Sequence, residues 1–167
     1  FITEPALFSP GLNQLYRFIR FVRLDDALHP MIRMTKKRRD TFASKGDVFQ
    51  RWRTYPTFQN MSDDALRHFV DATLIEDGHQ WRLRFPKNWE IEIYRSMCTL
   101  DPFIWTHLPS LQAKLIVIAG ETSNTFLSGA KKRIQPYCHD FISIPNTTHL
   151  LPFETPVALA KIIEHHT

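Results

Sequence analysis

The chain has 167 residues, of which 43% are hydrophobic, 13% aromatic and 23% charged; this is one domain's worth of sequence with enough apolar side chains for a sizeable core, and it excludes a disordered chain. Twenty-one Lys and Arg against seventeen Asp and Glu leave a net charge of +4, too small and too mixed to make nucleic acid the expected partner. Two cysteines, Cys98 and Cys138, cannot supply a disulfide framework, and no apolar run approaches the roughly 20 residues that span a bilayer, so a reducing, aqueous compartment, the cytoplasm, is expected.

Phe1 stands where an initiator methionine or the charged region of a signal peptide would be, so the chain is expected to begin in mid-protein. Phe1-Ile2-Thr3 before Glu4-Pro5 reads as the end of a buried strand, stopped by a proline that cannot donate to a ladder. From Asn13 to Leu24, Arg17, Arg20 and Arg23 recur at every third position, with Leu15, Phe18, Ile19, Phe21 and Val22 on the opposite arc. This predicts an amphipathic helix with a basic face, followed by Asp25-Asp26 and a stop near His29-Pro30. A second cluster, Lys36-Lys37-Arg38-Arg39, brings residues 17–39 to eight basic and two acidic side chains, so the positive charge is concentrated here.

Ser44 is placed to cap a short helix reaching about Thr54, with Asp47 as a weak capping-box partner and Pro56 beyond its end. Ser62 with Asp63 and Asp64 makes a better helix start, because a hydroxyl cap and two carboxylates both suit the positive end of the dipole. Its buried stripe would be Leu66, Phe69, Val70, Thr73 and Leu74. Asp77-Gly78 predicts a turn, 81–85 a short alternating strand, and Lys87 to Met97 a helix behind Pro86.

The last third changes character. Lys114 to Ala119 is a continuous apolar run of the kind buried on both faces of a parallel sheet, ending at Gly120. A polar loop from Glu121 to Thr125 leads to a helix through Phe126, Ala130 and Ile134 that Pro136 terminates, and His139 to Ile144 reads as another strand. Thr155 and Pro156 should cap a final helix ending at His165-His166. Strand, helix, strand, helix is a crossover βαβα ending.

His149 falls between a predicted buried strand and a predicted helix. Open parallel sheets bind ligands beyond the carboxyl ends of their strands, so a histidine there can act as a general base; a loop histidine taken alone is more often merely solvated. The run Asn146-Thr147-Thr148-His149-Leu150-Leu151-Pro152-Phe153-Glu154-Thr155-Pro156 resembles the catalytic-histidine loop of the α/β-hydrolase superfamily. Leu115 to Ser123 resembles that family's penultimate core strand and the loop after it, and Phe1 to Pro10 resembles the end of the strand that precedes its cap.

The resemblance implies an α/β fold: the C-terminal part of an α/β-hydrolase, with parallel strands and flanking helices plus a mainly helical cap. Residues 1–10 would be the end of a core strand, 11–108 the cap and 109–167 the C-terminal core segment. It further implies that His149 takes a proton from a serine and returns it to a leaving group while a carboxylate holds the imidazole tautomer. No Gly-x-Ser-x-Gly elbow occurs in these residues, so the serine and the oxyanion loop are expected from a missing N-terminal half or another chain. The acid departs from the family pattern as well, because the loop after the penultimate strand reads Glu121-Thr122-Ser123-Asn124. Glu121 is preferred for that place, Glu4 at the end of the earlier strand is the alternative, and an acid preceding Phe1 stays open.

Glu154-Thr155-Pro156 is expected to close the turn into the last helix, a structural task. The eight histidines show no metal-ligand spacing and no cofactor motif is visible, so neither metal nor cofactor is expected. The expected partner is a small or medium hydrophobic carboxylic ester, and an exposed sheet edge makes oligomers expected for the isolated chain. The rival reading is a non-catalytic, degenerate hydrolase whose basic helix docks on acidic partners or a membrane surface.

Overall fold

The computed structural model describes residues 1–167, and its architecture is built around three parallel strands. β1 (Ile2–Thr3) pairs with β5 (Ile116–Gly120), and β5 pairs in turn with β6 (Asp140–Ile144), giving the order β1-β5-β6. The apolar run that predicted β5 is buried at all five positions, and the pleat divides it between two layers. Val117 and Ala119 pack with Phe126, Ala130, Ile134 and Trp105 on one face. Ile116 and Ile118 pack with Ile144 and Leu151 on the other, against Leu159, Ile162 and Ile163. The first face is covered by α7 (Ser128–Ile134), the second by α9 (Pro156–His166). Strand, helix, strand and helix thus occur in the predicted order.

Between β1 and β5 lies a mainly helical segment, the one expected to be a cap. It contains α1 (Pro10–Phe21), α2 (Asp25–Leu28), α3 (Pro30–Lys37), α4 (Lys45–Arg53), α5 (Asp63–Thr73) and α6 (Lys87–His107). Ser44 and Ser62 both act as caps: their Oγ atoms accept from the Asp47 and Ala65 amides at 3.0 and 3.1 Å. A separate core of Phe42, Val48, Met61, Leu66, Val70, Leu74 and Leu83 holds α4 and α5 together.

Several local expectations are corrected. Leu74, assigned to the stripe of α5, instead opens β3 (Leu74–Asp77) in an antiparallel ribbon with β4 (Gln80–Leu83) and β2 (Thr41–Phe42). β4 answers to the strand expected at 81–85, whereas β2 and β3 gave no period that stood out from their surroundings. Pro30, read as a stop, begins α3, where its missing N–H costs nothing. The helix expected to fade at Met97 runs on through Pro102 to His107, carried past the proline because Trp105 and Asp101 are buried. Thr155 makes no side-chain cap; its hydroxyl donates to the Leu151 carbonyl of an unforeseen turn, α8 (Leu151–Glu154).

The basic face of α1 is only partly solvated. Arg20 donates to the Arg95 carbonyl at 2.5 Å, while Arg95 itself reaches Asp25 and Asp26 at 2.6 and 2.7 Å. No helix is long and apolar enough to cross a membrane.

Candidate active site

The loops after β1, β5 and β6 meet at the carboxyl edge of the sheet, and Gly120 lies where they touch. A Cβ on Gly120 would run into the backbone carbonyls of Thr147 and Thr148, so only glycine lets the His149 loop close over the end of β5. The two loops are then sewn together through their main chains. Glu121 N donates to Ile144 O and Thr122 N to Thr147 O, each at 3.0 Å, and the Thr122 hydroxyl reaches the same Thr147 carbonyl at 2.8 Å. Glu154 secures the other side, accepting the Thr148 amide at 2.7 Å and its hydroxyl at 2.6 Å. That is the turn-closing task expected of it.

His149 is half-buried in this frame. Its Nδ1 is enclosed and has no hydrogen-bond partner. Nε2 is not among the enclosed unpartnered atoms. The ring therefore turns Nδ1 inward, while Nε2 is the nitrogen that is not fully enclosed. None of the five main clefts of the chain is lined by His149.

The two candidate acids sit differently, and neither is hydrogen-bonded to His149. Glu121 is exposed, and its Oε2 accepts the Asn146 amide at 3.0 Å. Glu4 is half-buried and left-handed, with φ 50°. Its Oε1 accepts the Gly120 amide and its Oε2 the Ser123 hydroxyl at 2.6 Å, so the carboxylate from β1 occupies the mouth of the loop after β5. Ser123 was not singled out by the sequence; its role shows only once β1 and β5 are seen side by side. Asn124 is exposed. Asp140, at the opposite edge, pairs with His166 at 3.0 Å.

The cap reaches this edge through apolar contacts and one polar one. Leu150 packs against the cap core, Phe153 stands edge-on to Phe69 with ring centroids 5.2 Å apart, and Asn60 Nδ2 donates to Asn146 O at 3.2 Å. No group of three or more His, Cys, Asp or Glu side chains is placed to hold a metal ion.

Three parallel strands with helices on both faces and a histidine loop over their carboxyl edge have counterparts among solved structures. The peroxisomal α/β-hydrolase Lpx1 of Saccharomyces cerevisiae superposes over 98% of this chain and 44% of its own, with a TM-score of 0.68 and 19% identity. The fold is that of an α/β-hydrolase, in part. E-2-(acetamidomethylene)succinate hydrolase matches at a TM-score of 0.65 and 15% identity over 84% of this chain and 50% of its own. A Mycobacterium tuberculosis esterase matches at 0.61 and 15% identity over 95% and 51%. By sequence, the S. cerevisiae peroxisomal membrane protein Lpx1 is 26% identical over 140 residues, covering 76% of this chain and 35% of the relative. No family model matches. The chain thus resembles the C-terminal half of an α/β-hydrolase and spans between a third and a half of the length of these relatives.

Proposed function

We propose that this chain supplies the cap and the general base of a serine hydrolase acting on small or medium hydrophobic carboxylic esters. The reading rests on His149: a ring held by a backbone-stitched loop at the carboxyl edge of the sheet, with Nδ1 enclosed and Nε2 the nitrogen that is not. In this reading a serine outside these residues gives its proton to Nε2 as its Oγ attacks the ester carbonyl. The imidazolium returns that proton to the departing alkoxide, leaving an acyl-serine. His149 then takes a proton from water, the hydroxide frees the acid, and the proton goes back to the serine.

For the acid we infer Glu4 in preference to Glu121. Its carboxylate is half-buried where the loop after β5 opens, and its backbone keeps a left-handed conformation that a glutamate adopts only at a cost of about 1 kcal/mol. Glu121 spends its carboxylate on the Asn146 amide at the surface. A hydrophobic acyl or aryl group is supported by the apolar joint of Leu150, Phe69 and Phe153 between cap and loop. The reducing, aqueous setting belongs to the same reading, since Cys98 and Cys138 are free thiols.

The test is p-nitrophenyl butyrate hydrolysis by the intact protein. His149→Ala should lower kcat by about 10³-fold or more without moving the melting temperature, and Glu4→Gln by roughly 10²- to 10⁴-fold, with Glu121→Gln near wild type. Full activity in His149→Ala refutes the enzyme reading; loss in Glu121→Gln with none in Glu4→Gln reverses the choice of acid.

A further inference from the structure

Folding brings together cations and aromatic rings that lie apart in the sequence. Where the end of α3 and the following segment face α4, a cleft of about 360 Å³ opens. Lys37 and Arg39 line it from one side and Arg51 from the other, with Met34, Trp52 and Tyr55 between them. No carboxylate is among its lining residues. Three acids of this region are engaged elsewhere, Asp26 with Lys36, Glu90 with Arg38 and Asp40 with Lys87; Asp47, one turn before Arg51 on α4, lies outside the lining.

Lys37, Arg39 and Arg51 form no ion pair. Arg51 is held in place, its Nε donating to the Tyr55 hydroxyl at 2.7 Å. Three like charges around one concavity repel each other, and a ligand with two negative charges relieves that repulsion where a single carboxylate does so only in part. Two of the three are guanidinium groups, whose forked donors suit a phosphoryl group. Met34 and the aromatic rings offer the adjoining apolar surface.

We propose that the cleft between α3 and α4 binds a phosphate monoester with an aromatic or apolar substituent, its phosphoryl oxygens on Lys37, Arg39 and Arg51 and its organic part against Met34, Trp52 and Tyr55. This site is distinct from the carboxyl edge of the sheet and stands whether or not His149 is catalytic. It also gives the basic segment 36–39 an aromatic setting that its own sequence lacks.

Isothermal titration calorimetry of the intact protein, with phenyl phosphate and inorganic phosphate as probes, tests the proposal. Phenyl phosphate should bind at least about tenfold more tightly than inorganic phosphate, and the double change Lys37→Glu, Arg39→Glu should weaken it by about tenfold or more. The control Arg23→Glu, Lys132→Glu carries the same change of net charge elsewhere and should alter the affinity by less than about twofold. The milder Arg39→Gln, expected to cost about threefold or more, serves if the double reversal does not fold. Absence of phenyl phosphate binding, equal affinity for the two probes, or an equal loss in the control overturns the site. Adsorption to phosphatidylserine vesicles without phenyl phosphate binding also overturns it, giving the face to a membrane surface instead.

Discussion

His29 is only 2% exposed, stacked on Tyr16 with ring centroids 4.2 Å apart, and both its ring nitrogens are enclosed without partners. Burial holds its pKa below the ordinary 6.5, with the Asp25 charge opposing. The unfolded chain therefore binds this proton more readily than the native one, and the native state loses stability as pH falls through 6.5 toward the lowered native value. His29→Phe keeps the stacking and removes the titration, so between pH 7.5 and 5.5 its melting temperature should fall less than that of the wild type. His166, raised chiefly by its hydrogen bond to the Ile162 carbonyl and then by Asp140, acts in the opposite sense. Its pairing is present below pH 6.5 and is lost as pH rises through the raised value. The comparison with His29→Phe, in which His166 is unchanged, isolates the buried ring; equal falls in the two proteins would reject the assignment.

Among the elements, α5 is where local chemistry decides most. Ser62 satisfies the Ala65 amide, Asp63 and Asp64 sit in the first turn, and Leu66 and Val70 are buried below. Ser62→Ala should cost about 1 kcal/mol in urea unfolding, whereas an unchanged midpoint would mean that the cap core alone fixes this helix. The same kind of signal made α4 and β5 legible in the sequence: a hydroxyl before a helical stripe, or an unbroken apolar run ended by glycine. Of the ribbon, β4 and the Asp77-Gly78 turn before it were legible; β2 was not, because its Phe42 pairs with Trp81 far along the chain, and β3 was not, because its Leu74 also fits the stripe of α5. The histidine of the candidate site could be read from its loop. The placement of Glu4 could not, because nothing within Phe1–Pro10 tells that its carboxylate enters the loop at Ser123, 119 positions away.

At the scale of the whole molecule, α6 joins the two parts. Its first half carries Ile91 and the Glu90 carboxylate that meets Thr35 and Arg38 in the cap, while its last turns bury Asp101 and Trp105 on the sheet side. The Phe8 amide donates to Asp101 and the Trp105 indole to the Phe8 carbonyl, both at 2.7 Å, tying the chain after β1 to the same turns. Pro102 lies among them and withholds one N–H from the ladder. Pro102→Ala should raise thermal stability, by up to about 3 kcal/mol if the helix can close the missing bond; a drop would show that the proline fits a bend that the burial of Asp101 and Trp105 requires.

A helix of 21 residues is about 30 Å long, so α6 acts as a stiff beam anchored at both ends. Any bending of the helical segment against the sheet has to flex this beam, and its compliance is concentrated at the rung that Pro102 leaves unbonded. Such bending would swing about a pivot near residue 102 and would not slide along the sheet.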